Sequence, residues 1–224
     1  MKRFVLTLTI VLATAFGTAA SAGAANNGLA SKVVRPDAVY ADKTYADWAA
    51  AWWQWALSIP ATAHPLLDTA PCGTGQSGPV FFLGGSFGDA TVVRDCTVPS
   101  GKALFFPILN TLFSPIIGDP PTINGLRAAS AGVMDSATDL QVDLDGKSLK
   151  SLAPFREQSP AFDFTLPDDN LFGAAAGTYS LAVDDGFYVM IEPLAPGART
   201  LHFGGTLDCC AFTLDITYNL TVTP

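Results

Sequence analysis

The sequence predicts a mainly β protein, an antiparallel β-sandwich with one amphipathic helix packed against it. Of the 224 residues only 14% are charged and 49% are hydrophobic, which argues against a helical bundle, a coiled coil and charge-driven disorder. The 20 glycines and 16 prolines favour turns between extended segments. Apolar and polar residues alternate in several segments of the second half, while one segment of the first half has a strong helical period.

Residues 1–22 have the organisation of a secretory signal peptide. Lys2 and Arg3 precede an apolar run that starts at Phe4, and small residues at 20–22 fit a cleavage site. No later stretch has the roughly 18 uncharged apolar residues of a transmembrane helix. The pattern predicts export to the periplasm or the extracellular space, with no transmembrane segment after signal cleavage. The net charge of −8 argues against nucleic acid as a partner, because phosphate binding needs clustered Lys and Arg.

The remaining chain divides into a short lead-in and one domain. Residues 23–43 show no period and are predicted to be flexible. Residues 44–224 are predicted to form a single β-sandwich domain that begins with the Trp-rich helix. A sub-boundary near residue 138, where turn signals become regular, is the alternative.

The first element of the domain is an amphipathic helix of about 14 residues. Thr44 with Asp47 three residues later predicts a capping-box start, and Pro60 ends the segment. One face of this helix is mostly aromatic, and polar residues occupy the opposite side. The aromatic face comprises Tyr45, Trp48, Trp52, Trp55 and Ala56. Since all four tryptophans of the chain lie in this helix, we expect it to be the central core element.

Trp53 lies beside this aromatic face and has two interpretations. It can pack in the core with its neighbours, or its ring can form a stacking platform for a sugar or another apolar ligand. The loop after the helix supplies His64 and Gln76, polar side chains that could complete such a site. Trp53, His64 and Gln76 are therefore the candidate ligand-binding residues.

An even number of cysteines in an exported chain predicts disulfide bonds, and this chain has four. Segments 79–83 and 91–94 are predicted to be two strands around the glycine-rich turn 84–88. Such a hairpin brings its outer flanks together, which favours a bond between Cys72 and Cys96.

The other two cysteines, Cys209 and Cys210, are adjacent in the chain. They either bond to each other or form one link each to the remaining pair. A metal site is disfavoured because the chain has no Cys-x-x-Cys pair with a histidine at ligand spacing.

The elements that follow are mainly strands. The apolar run 102–107 predicts a buried strand, and the spacing over 123–137 predicts a second short helix. Residues 140–144 alternate before a hairpin turn at Asp145–Gly146, and 212–223 is the clearest alternating strand. Further strands are predicted at 162–166, at 187–191 after a turn at 184–186, and at 200–203 after a turn at 196–197. Turn signals at this spacing are typical of an immunoglobulin-like or jelly-roll sandwich.

Three sequence patterns resemble a group of uncharacterised exported bacterial proteins. They are the Tyr45-x-x-Trp48-x-x-x-Trp52-Trp53-x-Trp55 helix, the segment Cys96 to Lys102, and Asp184 to Tyr188 with Leu194-x-Pro196-Gly197. The resemblance spans most of the chain after residue 22 and implies export and a shared fold, without an activity. The Leu-x-Pro-Gly turn before the last strands also resembles the end of immunoglobulin-like domains, an analogy of fold alone.

Few residues in the chain could carry catalysis. His64 and Asp68 follow the aromatic helix and could act as acid and base, with Glu192 as a carboxylate partner in polysaccharide cleavage. The familiar nucleophile and zinc-protease motifs, such as Gly-x-Ser-x-Gly and His-Glu-x-x-His, are absent from the sequence.

Acidic residues in two segments are candidates for Ca²⁺, which takes carboxylate and carbonyl oxygens from loops. They are Asp168 and Asp169, followed by Asn170, and Asp184 with Asp185. Neither segment matches the EF-hand pattern, so the sequence implies no cofactor beyond this candidate ion.

The sequence thus predicts a secreted, non-enzymatic β-sandwich protein that binds a glycan or another cell-envelope component. The alternative is a secreted polysaccharide hydrolase or lyase that uses His64, Asp68 or Glu192.

Overall fold

The computed structural model describes residues 28–88 and 90–224, and the predicted signal peptide lies outside these ranges. The described chain forms two helices and two five-stranded sheets. The helices are α1 (Tyr45–Leu57) and α2 (Ile123–Met134). The strands are β1 (Val80–Phe82), β2 (Val92–Pro99), β3 (Ala103–Phe113), β4 (Ala137–Leu144), β5 (Lys147–Ser148), β6 (Arg156–Gln158), β7 (Phe162–Leu166), β8 (Gly177–Ile191), β9 (Gly197–Leu207) and β10 (Phe212–Thr223).

The two sheets pack face to face, and α1 covers the outer face of one of them. Sheet 1 has the order β1-β3-β8-β6 with β7 also paired to β8, and sheet 2 has the order β2-β10-β9-β4-β5. Phe106 of β3 stacks on Phe203 of β9 with ring centroids 4.5 Å apart, which joins the sheets. On the other face of sheet 1, the Trp53 indole of α1 reaches Asp184 of β8. The mainly β sandwich with a packed aromatic helix and a second short helix is confirmed.

The aromatic helix forms as the sequence pattern predicts. The Thr44 hydroxyl accepts from the backbone N–H of Asp47, and the Asp47 carboxylate accepts from the backbone N–H of Thr44. This capping box satisfies two of the free N–H groups of the first turn. All four tryptophans are at least 93% buried, and each indole N–H donates to an acceptor outside the helix. The helix is therefore held by apolar burial and by directed hydrogen bonds.

Alternating patterns predicted strand β10 and the β4–β5 hairpin correctly. In β10 the apolar residues from 214 to 222 are buried and the polar residues between them are not. The β4–β5 hairpin turns at Asp145 and Gly146, which both have positive φ. Helix α2 ends at Met134, and Ala137 already belongs to β4. The observed helix is therefore shorter than the predicted helix over 123–137.

The sheets are mixed rather than wholly antiparallel. Strand β1 pairs with β3 in parallel, and β2 pairs with β10 in parallel. The predicted hairpin around residues 84–88 is therefore wrong, because its two strands belong to different sheets. The predicted disulfide Cys72–Cys96 is nevertheless present and joins the loop after α1 to β2.

The turn predicted at residues 184–186 is also wrong. These residues lie inside β8, a continuous strand of 15 residues, and both aspartates are buried. An Asp-Asp-Gly sequence usually marks a turn because these residues favour exposed, bent backbone. Here the side chains find partners on other elements, and glycine is required for a close approach described below.

Part of the predicted lead-in packs against sheet 1. Leu29 is buried, and the backbone N–H of Val34 donates to the carbonyl of Met190 at the end of β8. The backbone N–H of Glu192 donates to the carbonyl of Lys32.

Within the described ranges, no helix is long and apolar enough to cross a membrane.

Candidate functional site

A cleft lies beside the free edge of β3. Strand β1 pairs only with residues 103–105 of β3, so on that side residues 106–113 have no strand partner among the described residues. Two adjacent cavities of about 260 and 250 Å³ open there, and both are lined by Trp53, Phe87 and Asn110. Helix α1, the 84–88 loop and the start of β10 supply the other walls.

The mouth of this cleft is apolar and exposed. Phe87 is 56% exposed, Ile117 is 39% exposed and Phe172 is 37% exposed, and all three line the second cavity. They are three of the seven large apolar side chains that the described residues leave exposed. Such clustering is typical of binding surfaces, whereas isolated exposed apolar residues are ordinary.

The residues that line the two cavities carry no charge. Among the described side chains, the polar ones in the lining are Ser86 and Asn110, besides the tryptophan indoles. The Ser86 hydroxyl accepts from the backbone N–H of Gly88, and the indole N–H groups of Trp52 and Trp53 donate elsewhere. Asn110 is the polar side chain that lines both cavities besides Trp53, and the Ser86 hydroxyl keeps its proton as a donor at the first cavity.

A buried hydrogen-bonded network lies behind Asn110. The Asn110 side-chain nitrogen donates to the Tyr188 hydroxyl at 3.0 Å, and that hydroxyl donates to Oδ1 of Asp184 at 2.8 Å. The Trp53 indole N–H donates to the same oxygen at 2.8 Å. Oδ2 of Asp184 has no partner in the described structure. We call Asn110, Tyr188, Asp184 and Trp53 the floor network.

Asp184 has a strongly perturbed acidity. Burial raises the pKa of this carboxyl to about 8, against smaller opposing effects from the hydrogen bonds of Trp53 and Tyr188. Removing a carboxylate from water costs several kcal/mol, and two donors on one oxygen offset only part of that cost. The carboxyl is therefore protonated over most of the neutral range. The pKa of Tyr188 is also raised, mainly by burial and to a smaller extent by the nearby Asp184.

Local backbone geometry brings the floor network together. Strand β3 has a bulge between Pro107 and Leu109, which changes the register against β8 before Asn110. Gly186 then lies opposite Asn110, and a Cβ at this glycine would lie only 2.7 Å from Cβ of Asn110 and 2.8 Å from the Tyr188 ring. Glycine is thus required for a close approach and not for a turn. Bulges of this kind often re-aim side chains next to sites.

The opposite face of β8 carries a separate ion pair. Both oxygens of Asp185 accept from the Arg156 guanidinium, at 2.9 and 3.0 Å, and Gln158 donates to one of them. Arg156 also pairs with Asp135 after α2. Asp184 and Asp185 consequently do not form a loop site for Ca²⁺, and the candidate based on them is wrong.

The other predicted calcium segment is open surface. Asp168 and Asp169 are exposed, and the Asp169 carboxylate accepts from the backbone N–H and the hydroxyl of Thr62. These hydrogen bonds lower the pKa of Asp169. Within the described residues, no group of three or more His, Cys, Asp or Glu side chains is placed to hold a metal ion.

The predicted catalytic residues do not converge. His64 is fully buried, its Nε2–H donates to the Ala56 carbonyl at 2.8 Å, and its Nδ1 accepts from the N–H of Leu66. Burial lowers the pKa of this imidazole. Asp68 instead pairs with Arg94, and Glu192 is exposed near the start of the described chain.

Asp68 and Arg94 help to form the cleft. The Arg94 guanidinium is 92% buried and donates to the carbonyls of Gly84 and Gly85, as well as to Asp68. These hydrogen bonds fix the base of the loop that carries Phe87. Asp68, which was predicted as an acid or base, therefore helps to position a wall of the cleft through Arg94.

Trp53 and Gln76 have structural roles. Trp53 lines both cavities but is only 6% exposed, so it offers no free stacking face. Gln76 accepts from the backbone N–H of Phe82 and donates to its carbonyl, which mimics a strand partner for β1. Phe87 and Asn110 were not predicted. The signal for Phe87 was a large aromatic residue within a glycine-rich turn, where burial is not expected.

Cys209 and Cys210 bond to each other at the exposed tip of the β9–β10 hairpin. Of the two arrangements considered for them, the structure thus has the vicinal one. No cysteine of the chain is free. Phe212, two residues further, lines the first cavity of the cleft.

Comparison with known proteins adds no assignment. No family model, no curated protein and no solved structure matches this chain.

Proposed function

We propose that this protein is an exported, non-enzymatic binding protein for a carbohydrate or another cell-envelope component, and that the cleft beside β3 is its binding site. The observation that carries the proposal is the cluster of exposed apolar side chains, Phe87, Ile117 and Phe172, around one small cavity. Covering this surface is favourable for any ligand with an apolar face. A sugar ring has such a face, formed by its C–H groups.

The size of the cavities and the charge of the protein limit the kinds of ligand that can bind. Each cavity is below the roughly 300–1,000 Å³ of pockets for drug-sized molecules, so each suits one ring-sized group. The lining carries no charged side chain, and the protein as a whole is acidic, at −8. A strongly anionic polymer or lipid surface would be repelled. The proposal therefore favours a neutral group of an envelope glycan.

The hydrolase or lyase alternative has less support. Both ring nitrogens of His64 are used by backbone groups, and Asp68 is held by Arg94. A general acid or base has to reach the substrate within hydrogen-bonding distance. We therefore expect a substitution of His64 to affect folding alone and to show no catalytic role for this residue.

Binding is tested with isolated bacterial cell wall and with soluble N-acetylglucosamine oligomers. The wild-type protein should be retained on the wall, and the oligomers should shift its tryptophan fluorescence. Phe87→Ala should weaken binding about thirtyfold, because losing about 100 Å² of apolar contact costs on the order of 2 kcal/mol. Since Phe87 is exposed, the unfolding midpoint of the Phe87→Ala protein should barely differ from that of the wild type.

Val39→Ala is the matched control. Val39 is 66% exposed and does not line either cavity, so this variant should bind like the wild type. Equal loss in both variants, or no binding of wall or oligomer by the wild type, would contradict the proposal.

A further inference from the structure

The donor and the acceptor of each hydrogen bond in the floor network can be assigned. An indole N–H can only donate, so Trp53 must use Oδ1 of Asp184 as an acceptor. Tyr188 also donates its single hydroxyl proton to that oxygen, and the proton of the neutral carboxyl belongs on Oδ2, which accepts from no described group. The Tyr188 hydroxyl can therefore only accept from Asn110, and it does so from the side-chain nitrogen at 3.0 Å.

This assignment determines what Asn110 presents to the cleft. A carboxamide is planar, and its oxygen and nitrogen point away from each other. One N–H of the nitrogen donates to Tyr188, which leaves the second N–H and the oxygen, and the oxygen makes no hydrogen bond to the described residues. Asn110 is half-buried and lines both cavities. The carboxamide oxygen is thus a free acceptor at the floor of the cleft.

We infer that the carboxamide oxygen of Asn110 selects a neutral ligand group that has a hydrogen-bond donor, a hydroxyl or an amide N–H, next to its apolar face. Tyr188 and Asp184 are positioning residues that hold the carboxamide in this orientation. The inference rests on the proposed function, because it concerns the ligand of the same cleft. It adds a chemical requirement that apolar contact alone does not impose.

The chemistry of the walls supports this selectivity. Phe87, Ile117 and Phe172 accept any apolar face and do not discriminate between ligands. The oxygen of Asn110 loses water when the cleft is filled, and a ligand without a donor leaves it unpaired. Sites built around a fixed acceptor therefore discriminate mainly by rejecting the ligand that lacks the donor.

Two matched probe pairs test the inference. Benzyl alcohol is compared with benzyl methyl ether, and methyl β-glucoside with its fully O-methylated derivative. The Trp53 indole N–H resonance, followed in ¹H–¹⁵N spectra, reports binding at the cleft. We expect the wild type to bind the donor member of a pair about fivefold more tightly, the usual effect of one hydrogen bond. Selectivity in the sugar pair places the donor on a glycan, and selectivity in the benzyl pair alone places it on another amphiphile.

Asn110→Leu should abolish the preference while the ether still binds. Tyr188→Phe keeps the ring and Asn110 but removes the hydroxyl, so the preference should fall at least twofold. This second variant decides the question if Asn110→Leu does not fold. A wild type that binds both members equally, or variants that keep the full preference, would overturn the inference and leave the proposed function intact. A wild type in which no probe moves the Trp53 resonance would overturn both.

Discussion

Asp184 and Asp185 are neighbours in β8 whose carboxyl groups lie in different chemical environments. Alternation along the strand turns one toward α1 and the other toward Arg156. Asp185 has a bidentate arginine, the arrangement that best compensates a buried carboxylate. Asp184 has only neutral donors, Trp53 and Tyr188, so the protonated form is favoured. Two identical residues thus serve as an ionic cross-link and as part of a neutral hydrogen-bonded floor.

Asp184 should make the stability of the protein depend on pH. Its pKa rises from the ordinary 3.8 to about 8, so between these values the folded protein binds more protons than the unfolded chain. The contribution of Asp184 to the free energy of unfolding is largest below pH 4 and decreases as the pH rises toward 8, by at most about 1.4 kcal/mol per pH unit. Asp184→Asn cannot ionise and should remove this decrease.

The measurement is urea unfolding of wild type and Asp184→Asn from pH 4 to 9. The difference between the two curves isolates Asp184, because other groups act in both proteins. His64 acts in the opposite direction: burial lowers its pKa, so stability is lost as the pH falls below the usual value near 6.5. A difference that is flat from pH 4 to 8 would show that the Asp184 carboxyl is ionised in the folded protein.

Helix α1 is the element whose local sequence and tertiary role agree best. Its capping box fixes the start, and its aromatic residues then meet partners on three different parts of the chain. Trp48 donates to Tyr40, Trp52 to Leu83, and Trp55 to Thr74. The start of the helix therefore sets the register of every indole against its acceptor.

Thr44→Ala should lower the free energy of unfolding by about 1 kcal/mol. The substitution removes the acceptor for the Asp47 N–H and one of the two donors to the Asp47 carboxylate, which is the usual cost of a lost N-cap. Thr44→Ser keeps the hydroxyl and is the control, with an expected loss well under half of that value. Chemical denaturation at pH 7 measures both. An equal loss in Ser and Ala variants would mean that the methyl group, and not the cap, stabilises the helix.

The sequence predicted elements whose pattern is local and failed where partners are remote. Helix α1, the β4–β5 hairpin and β10 are each specified by spacing within one segment, and all three are present. The residues 184–186 looked like a turn because their partners, Trp53 and Arg156 among them, lie 131 and 29 positions away. No local pattern carries that information.

The candidate site was predicted least well for the same reason. Trp53 was predicted as a stacking platform for a ligand, and it lines the cleft, but its ring is buried. Asn110 and Phe87 become neighbours of Trp53 only through the β3 bulge and the crossing between sheets. His64 suggested chemistry because imidazole often acts as a base, whereas here it satisfies backbone groups at the end of α1.

At the scale of the whole molecule, the two halves of the chain are interleaved. Strand β3 of the first half pairs with β8 of the second, and β2 pairs with β10. The Cys72–Cys96 disulfide further links the loop after α1 to β2. A boundary near residue 138 would therefore separate strands from their only long partners.

The protein should unfold in one cooperative transition. All four tryptophans lie in α1, so their fluorescence reports the first half, while far-UV circular dichroism reports strands of both halves. Because each sheet needs strands from both halves, the two signals should give the same midpoint and slope in guanidinium chloride without reductant. Calorimetric and van't Hoff enthalpies should also agree. A tryptophan transition at lower denaturant than the dichroism transition would mean that α1 and its contacts unfold separately, and that residues beyond 138 form a sandwich of their own.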